Sequence, residues 1–271
     1  MTESDAWVPD EVDVTVPNAA RVYDFALGGV HNFKVDREFW ERATSANPHA
    51  HLVARANRSF LGRVVRDLVS GGVTQFLDIG SGIPTLGNVH EIAQEANPGA
   101  RVVYVDIDPI AVQQSRSLLA GNPYARAVEG DLRKPEDILY RDEVVEFLDF
   151  SRPVAVLMVA VLHFVPDTDD PATILATVGN ALVSGSHLVV SHLAPEVTPE
   201  AREKQEQARR LYERTPTPVV IRTAEELEAL LGDDFALLEP GIVAATSWKP
   251  DPDEADEPPQ PTALVAVARK R

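Results

Sequence analysis

The chain changes its hydrophobic rhythm near residue 72. Before that point apolar positions recur every three to four residues, the period of helices with one buried face. After it, short and nearly continuous apolar runs alternate with helical stretches. That is the rhythm of strands buried on both faces and joined by crossover helices. The first part predicts helices over 19–27, 36–46 and 49–70. Asn18 caps the first, and Gly28 with Gly29 ends it. Phe39 and Trp40 anchor the second. The third is the clearest, with Leu52, Val53, Ala56, Phe60, Leu61, Val64, Val65 and Leu68 on one face and Gly71 and Gly72 as its stop. Residues 1–17 are acidic and unpatterned and read as a loose arm, from which Trp7, Val12, Val14 and Val16 are able to reach the body.

The second part predicts strands over 74–79, 101–106, 125–129, 153–162 and 187–191. Helices over 87–96, 109–119, 135–147 (or a pair of turns) and 170–182 separate them. Asn88 and Glu91 stand at capping-box spacing, and Asp170 with Pro171 makes a helix start. Two more helices, 199–214 and 223–231, precede strands over 235–245 and 262–268. The acidic, proline-rich loop 248–261 joins those strands without a helix. Five consecutive strand–helix units imply a parallel, doubly wound α/β sheet. The last two strands imply an antiparallel C-terminal hairpin at its edge, making seven strands. Residues 1–72 would form an arm and a helical N-terminal cap over the rim of a core spanning 73–271, the whole being one structural unit.

Charge and composition narrow the partners. Asp and Glu number 42 against 25 Lys and Arg, a formal charge of −17. Such a surface repels nucleic-acid backbones and anionic membranes. Without a cysteine, the chain has no disulfides, thiolate metal sites or cysteine nucleophiles. No apolar run approaches the ~18 residues of a membrane helix, and residues 1–16 carry no secretory signal, so a cytoplasmic location is expected. His49 and His51 fall on different faces of a helix, and no cluster has metal-ligand spacing.

The candidate chemistry sits at the strand ends. The first strand runs into Gly80, Ser81 and Gly82, a turn whose bare backbone N–H groups would seat the polar or anionic end of a nucleotide-like cofactor. A dinucleotide fingerprint needs a third glycine, and that slot holds Thr85, after Pro84. Asp106, followed by Ile107, ends the second strand, where a carboxylate can accept from both hydroxyls of a ribose. Asp108 is placed to cap the helix that begins at Pro109. After the third strand, Asp131 can accept from an adenine amino group while the Leu132 N–H meets a ring nitrogen. Asp131 is equally suited to a turn or cap.

Asp78, Gly80 and Gly82, then Asp106, then Asp131, at the ends of three successive strands, resemble the class I S-adenosylmethionine-dependent methyltransferases. The longer strings narrow the match: Asn18-Ala-Ala-Arg-Val-Tyr-Asp-Phe-Ala-Leu-Gly-Gly29, His31-Asn32-Phe33, Ala54-Arg-Ala-Asn-Arg-Ser-Phe60 and Val159-Ala-Val-Leu-His-Phe-Val-Pro166. They are similar to the actinobacterial S-adenosyl methyltransferase family once catalogued as a domain of unknown function. The resemblance implies a Rossmann-like methyltransferase sheet and S-adenosylmethionine as cofactor, leaving S-adenosylhomocysteine. It implies that the glycine turn holds the methionine part, Asp106 the ribose and Asp131 the adenine, with Ala160 on the cofactor wall.

In the cap, Arg21 could pair with the cofactor's carboxylate, Tyr23 could close over it, and Asn32 belongs to the same segment. Transfer from a sulfonium needs positioning more than a triad, with a base only when the acceptor must lose a proton. His163, after the fourth strand, is the candidate base, and His192 is its analogue after the fifth. The expected acceptor is a small molecule entering between the cap and the ends of those strands. Two readings stay open beside this one: a sensor that binds the cofactor without catalysis, and a nicotinamide-dependent oxidoreductase, which the missing third glycine and the lack of a Tyr-x-x-x-Lys pair disfavour. The oligomeric state is open, a homodimer being one option.

Overall fold

The computed structural model describes residues 12–84, 87–213, 215–252 and 263–271. Trp7, the fingerprint slot Thr85, and residues 253–262 of the last predicted loop and strand lie outside the described residues. The elements, in order, are α1 (Ala19–Ala26), α2 (Lys34–Ala46), α3 (Ala50–Ser70), β1 (Gln75–Ile79), α4 (Val89–Ala96), β2 (Arg101–Asp106), α5 (Pro109–Leu118), β3 (Ala125–Glu129), α6 (Pro135–Leu139), α7 (Asp142–Val145), β4 (Ala155–Val159), α8 (Pro171–Asn180), β5 (His187–Leu193), α9 (Pro199–Tyr212), α10 (Ala224–Leu231), β6 (Phe235–Leu237), β7 (Val243–Ala244) and β8 (Ala263–Lys270).

Local chemistry sets most of these boundaries. The Asn18 side chain accepts from the Ala20 N–H at the start of α1. Asp108 accepts from Ile110 and Ala111 ahead of α5, and Asn88 with Glu91 forms the capping box of α4. The sheet order is β3-β2-β1-β4-β5-β8-β6, with β7 also paired to β8. The first five strands are parallel. Among the described strands only β8 runs antiparallel, inserted between β5 and β6. Chain order reverses between β1 and β4, which opens a crevice at the carboxyl ends of those strands.

Residues 135–147, read as a helix or a pair of turns, are two short helices. Two predicted elements are corrected. β4 stops at Val159, because Ala160 takes the left-handed φ of 60° and a single 3₁₀ turn, Leu162–Phe164, follows. The strand expected over 235–245 is broken in two by a turn in which the Gly241 N–H bonds the Leu238 carbonyl at 2.8 Å. Gly241, at φ 86°, supplies a backbone shape that a side chain would resist.

Side chains alternate across the sheet. Phe76, Val102, Leu157 and Val189 face α3 and α4. Leu77, Val103, Val156 and Val190 face α6, α8 and α10. The body of α3 is therefore a sheet-packing helix, and its N-terminal turns reach the rim. The cap is α1 and α2, sealed by Val22, Phe39 and Ala43 against Leu211 and Tyr212 of α9.

Candidate functional site

Strand ends, cap and α9 enclose a cavity of about 560 Å³. Arg21, Tyr23, Asp78, Gly80, Ser81, Gly82, Asp106, Ile107, Asp131, Leu132, Ala160 and His163 all line it. Residues spread over more than half the sequence are thus brought to one surface. Asn32 is the exception, and its expected place at the cofactor is corrected. Its amide donates to Asp24 Oδ2 at 2.9 Å and to the Gly29 carbonyl at 3.0 Å, so it braces the loop after α1 and does not reach the cavity.

The glycine turn also departs from expectation. Its N–H groups are not bare. Gly80 and Ser81 both donate to the Val105 carbonyl, at 2.8 and 3.0 Å, and Gly82 donates to Asp106 Oδ2 at 2.7 Å. The turn cannot act as an anion seat, since its donors are already committed. What it provides is close approach. Gly80 sits at φ 73°, and a Cβ there would collide with the Val161 side chain.

Carboxylates dominate this half of the cavity. Asp78 and Tyr104 are register partners on β1 and β2. Burial pushes Asp78 up to about 7; Arg58 opposes this and Asp106 adds to it. Burial pushes Asp106 up to about 6, against hydrogen bonds from the Asp108 and Gly82 N–H groups. Those two bonds leave lone pairs on a carboxylate that offers about four. Asp108, the helix cap, is also raised by burial. Asp131 differs. Burial works against its charge, but the Arg133 guanidinium, at 2.8–3.1 Å, outweighs it and holds the carboxyl below the usual range. Ile107 is 48% exposed at the cavity edge, an apolar face set between the two acids. The buried, mutually repelling pair Asp78 and Asp106 suits a ligand that brings positive charge and hydroxyl donors. It does not suit a pyrophosphate.

Arg21 is partly committed inside the cap. Its Nε lies 3.3 Å from Asp36 Oδ2, and one Nη donates to the Val16 carbonyl at 2.6 Å. Its other terminal nitrogen is buried without a hydrogen-bond partner. The Tyr23 hydroxyl is engaged with the Ala54 carbonyl and the Asn57 amide, at 3.2 and 3.0 Å, which leaves its ring as the part offered to the cavity.

The two histidines behave differently. The Nδ1–H of His192 donates to the Leu193 carbonyl at 2.8 Å, and its Nε2 accepts from Arg222 at 2.9 Å. These partners leave only the neutral tautomer, and burial drives the group down to about 4. His163 lies against it, ring centroids 5.9 Å apart. Burial, His192 and Arg222 hold it well below its ordinary value. Its Nδ1 has no hydrogen-bond partner. His163 is therefore neutral, no group among the described residues bonds its Nδ1, and its ring lines the cavity.

Sequence reasoning missed a polar relay behind this wall. Asn57 donates to Tyr23, Ser191 donates to the Asn57 oxygen, and the Ala160 N–H donates to Ser191 at 2.8 Å. The signal was present: Asn57 falls on the apolar stripe of α3, three residues from both Ala54 and Phe60. Arg222 was also missed. It reaches the Val165 carbonyl at 2.9 Å and Asp167 at 2.6 Å, and the neighbouring Val220 N–H bonds the His163 carbonyl at 2.8 Å. Together they hold the 3₁₀ turn that carries His163.

Comparison with known proteins gives the family and the fold. A model of the family described as S-adenosyl methyltransferase matches residues 5–271. A DUF574 family protein from Streptomyces avermitilis MA-4680 is 39% identical, with a TM-score of 0.89 over 96% of this chain and 99% of that one. A proposed methyltransferase from Thermobifida fusca YX is 38% identical, with a TM-score of 0.89 over 98% and 99% of the two chains. The mitomycin 7-O-methyltransferase, 19% identical with a TM-score of 0.53 over 100% of this chain and 76% of that one, shares the fold. Among curated proteins no match is found. No helix among the described residues is long and apolar enough to cross a membrane.

Proposed function

The chain belongs to the S-adenosyl methyltransferase family, and from that premise we propose that it transfers a methyl group to a small-molecule acceptor held beside His163 under the cap. The observation that carries this reading is the set of carboxylates Asp78, Asp106 and Asp131, at or just beyond the ends of β1, β2 and β3, lining one cavity with His163. The cofactor supplies a methyl group already activated by the positive sulfonium.

The residues present fit S-adenosylmethionine. The remaining lone pairs of Asp106 accept from the ribose hydroxyls. Asp131 accepts from the adenine amino group, sharing its oxygens with Arg133, and the Leu132 N–H serves a ring nitrogen beside it. Ile107 gives the base an apolar face. The raised Asp78 carboxyl ionises against the cationic methionine end, and Arg21 turns its unpartnered nitrogen to the carboxylate. Gly80, Ser81, Gly82 and Ala160 provide close backbone contact, and Tyr23 covers with its ring. His163 takes the proton that the acceptor loses. α1, α2 and the first turns of α3 act as a cap over a core that includes the body of α3, within one structural unit.

Isothermal titration with S-adenosylmethionine and S-adenosylhomocysteine tests this reading. Binding of both is expected, with Asp106→Ala weakening each by at least about tenfold through loss of the paired ribose hydrogen bonds. Folded protein that binds neither would refute it.

A further inference from the structure

The charged residues that line the cavity are unevenly placed. Asp13, Arg21, Arg58, Asp78, Asp106, Asp108, Asp131 and Arg133 lie with the arm, α1, α3 and the ends of β1–β3. On the other side, beyond β4 and β5, the lining contains, among the described residues, one charged residue, Arg209 of α9. Its guanidinium is neutralised by Glu206, at 2.7 and 2.9 Å, and by Glu213 at 2.9 Å. The rest of that side is mostly apolar or aromatic, led by Trp40, Val53, Phe164, Tyr212, Val219 and Ile221, with uncharged polar groups from Asn47, Ser191, Gln205 and Thr217.

Behind His163 the field is positive. Arg222 is buried and bonds His192, while its carboxylate partner Asp167 is 81% exposed on the solvent side. Glu226, the other acid acting on His192, sits on α10 beyond it. Among the described residues, no lining carboxylate faces His163 from α9 or from residues 216–221. Arg222 is paired with Asp167 on its solvent side, so a cationic amine placed here would face the guanidinium from the cavity side with no lining carboxylate among the described residues to balance its own charge, a cost that an uncharged hydroxyl avoids.

The acidity of the hydroxyl matters as well. Moving a proton from a phenol-like hydroxyl, near 10, to an ordinary imidazole, near 6.5, is uphill by about three to four orders of magnitude. From a hydroxyl as weak as water, near 15.7, it is uphill by about nine. Burial makes His163 a weaker base still, so the harder transfer is beyond it, while the Arg222 field favours the anion left by the easier one.

We propose that the acceptor is a largely apolar, uncharged molecule carrying an acidic hydroxyl of the phenol or enol type, seated between α2, α9 and residues 216–221 with that hydroxyl at His163. This rests on the methyltransferase reading above. The hydroxyl proton passes to His163 and then to water. The oxygen lone pair forms the O–CH₃ bond while the S–CH₃ bond breaks, and its electron pair returns to sulfur, leaving a neutral thioether.

The test uses one apolar frame with three heads: naphthol, naphthylmethanol and naphthylmethylamine. Binding is measured by titration on the protein loaded with S-adenosylhomocysteine, and transfer by mass spectrometry with S-adenosylmethionine. Naphthol should bind at least about tenfold tighter than the amine, as an unpaired charge next to Arg222 requires, and should be methylated while the alkyl alcohol is not. Amine binding as tight as naphthol, methylation of the alkyl alcohol at a comparable rate, or naphthol that fails to bind or to be methylated would overturn the assignment. Protein that takes up neither S-adenosylhomocysteine nor S-adenosylmethionine would instead overturn the reading on which it rests, before any acceptor is added.

Discussion

Asp78 shows how a residue can be poorly placed for stability and well placed for function. Burial raises its carboxyl to about 7 from 3.8. The native state then holds the proton more tightly than the unfolded chain does. Its contribution to stability is full below the unfolded value and is lost as pH rises from about 4 to about 7. Asp78→Asn should therefore be more stable than the wild-type protein at pH 8, by roughly 1–4 kcal/mol in urea unfolding, with little difference at pH 4. The same variant should bind S-adenosylmethionine at least about tenfold more weakly at pH 8, because the ionised carboxylate is what meets the cationic end. In the wild-type protein the affinity should rise with pH up to about 7, where Asp78 ionises, and titration calorimetry across pH should show this slope flattened in the variant. The identity of Asp78, Asp106 and Asp131 as a set was legible from their places after successive strands. Their raised or lowered acidity was not: Asp131 has Arg133 two residues away, but the raised values of Asp78 and Asp106 depend on burial, which exists only in the folded chain.

The elements were read well where local chemistry ends them and less well where distant contacts do. Asn18, Asp108 and the Asn88–Glu91 box are local devices, and each acts as its spacing predicts. The end of β4 is different. Ala160 turns left-handed at φ 60°, an uncommon state for a residue with a Cβ. Ser191 on β5 holds its N–H, Asn57 on α3 holds Ser191, and Tyr23 on α1 holds Asn57. This relay spans four elements and has no local signature. Ser191→Ala would leave the Ala160 N–H and the Asn57 oxygen without their partner. A loss of about 1–3 kcal/mol in denaturant unfolding is expected. Cofactor affinity should fall with it, since Ala160 forms the cavity wall. A variant with unchanged stability and unchanged affinity would show that the relay does not hold the wall.

At the scale of the whole molecule, cap and core share one site. α1, α2 and the first turns of α3 close over strand ends that the later chain supplies, and α9 seals the far side through Leu211 and Tyr212. A ligand bound there links both parts and should stabilise them together. At a hundredfold excess over Kd, S-adenosylhomocysteine should add about 2.7 kcal/mol, a rise in Tm of roughly 5–10 °C in a chain of this size. NAD, whose pyrophosphate would meet the carboxylates of the rim, should leave Tm unchanged. The thermal melt distinguishes the two cofactors directly.

Taken alone, the sequence determined the order of strands and helices, the doubly wound sheet, the antiparallel last strand and the acids at three strand ends. Those follow from hydrophobic period, caps and turn residues, which act over a few neighbours. Only the tertiary structure decided that the glycine turn has no free N–H groups, that Asn32 braces a loop, and that His163 stands neutral beside a buried Arg222. It also decided that the cavity is charged on one side and apolar on the other. The Asn32 brace is short-range, to Asp24 and Gly29, and shows no periodic signal; the others depend on groups separated by tens of residues, whose burial and hydrogen bonds exist only once the sheet has brought its strand ends together.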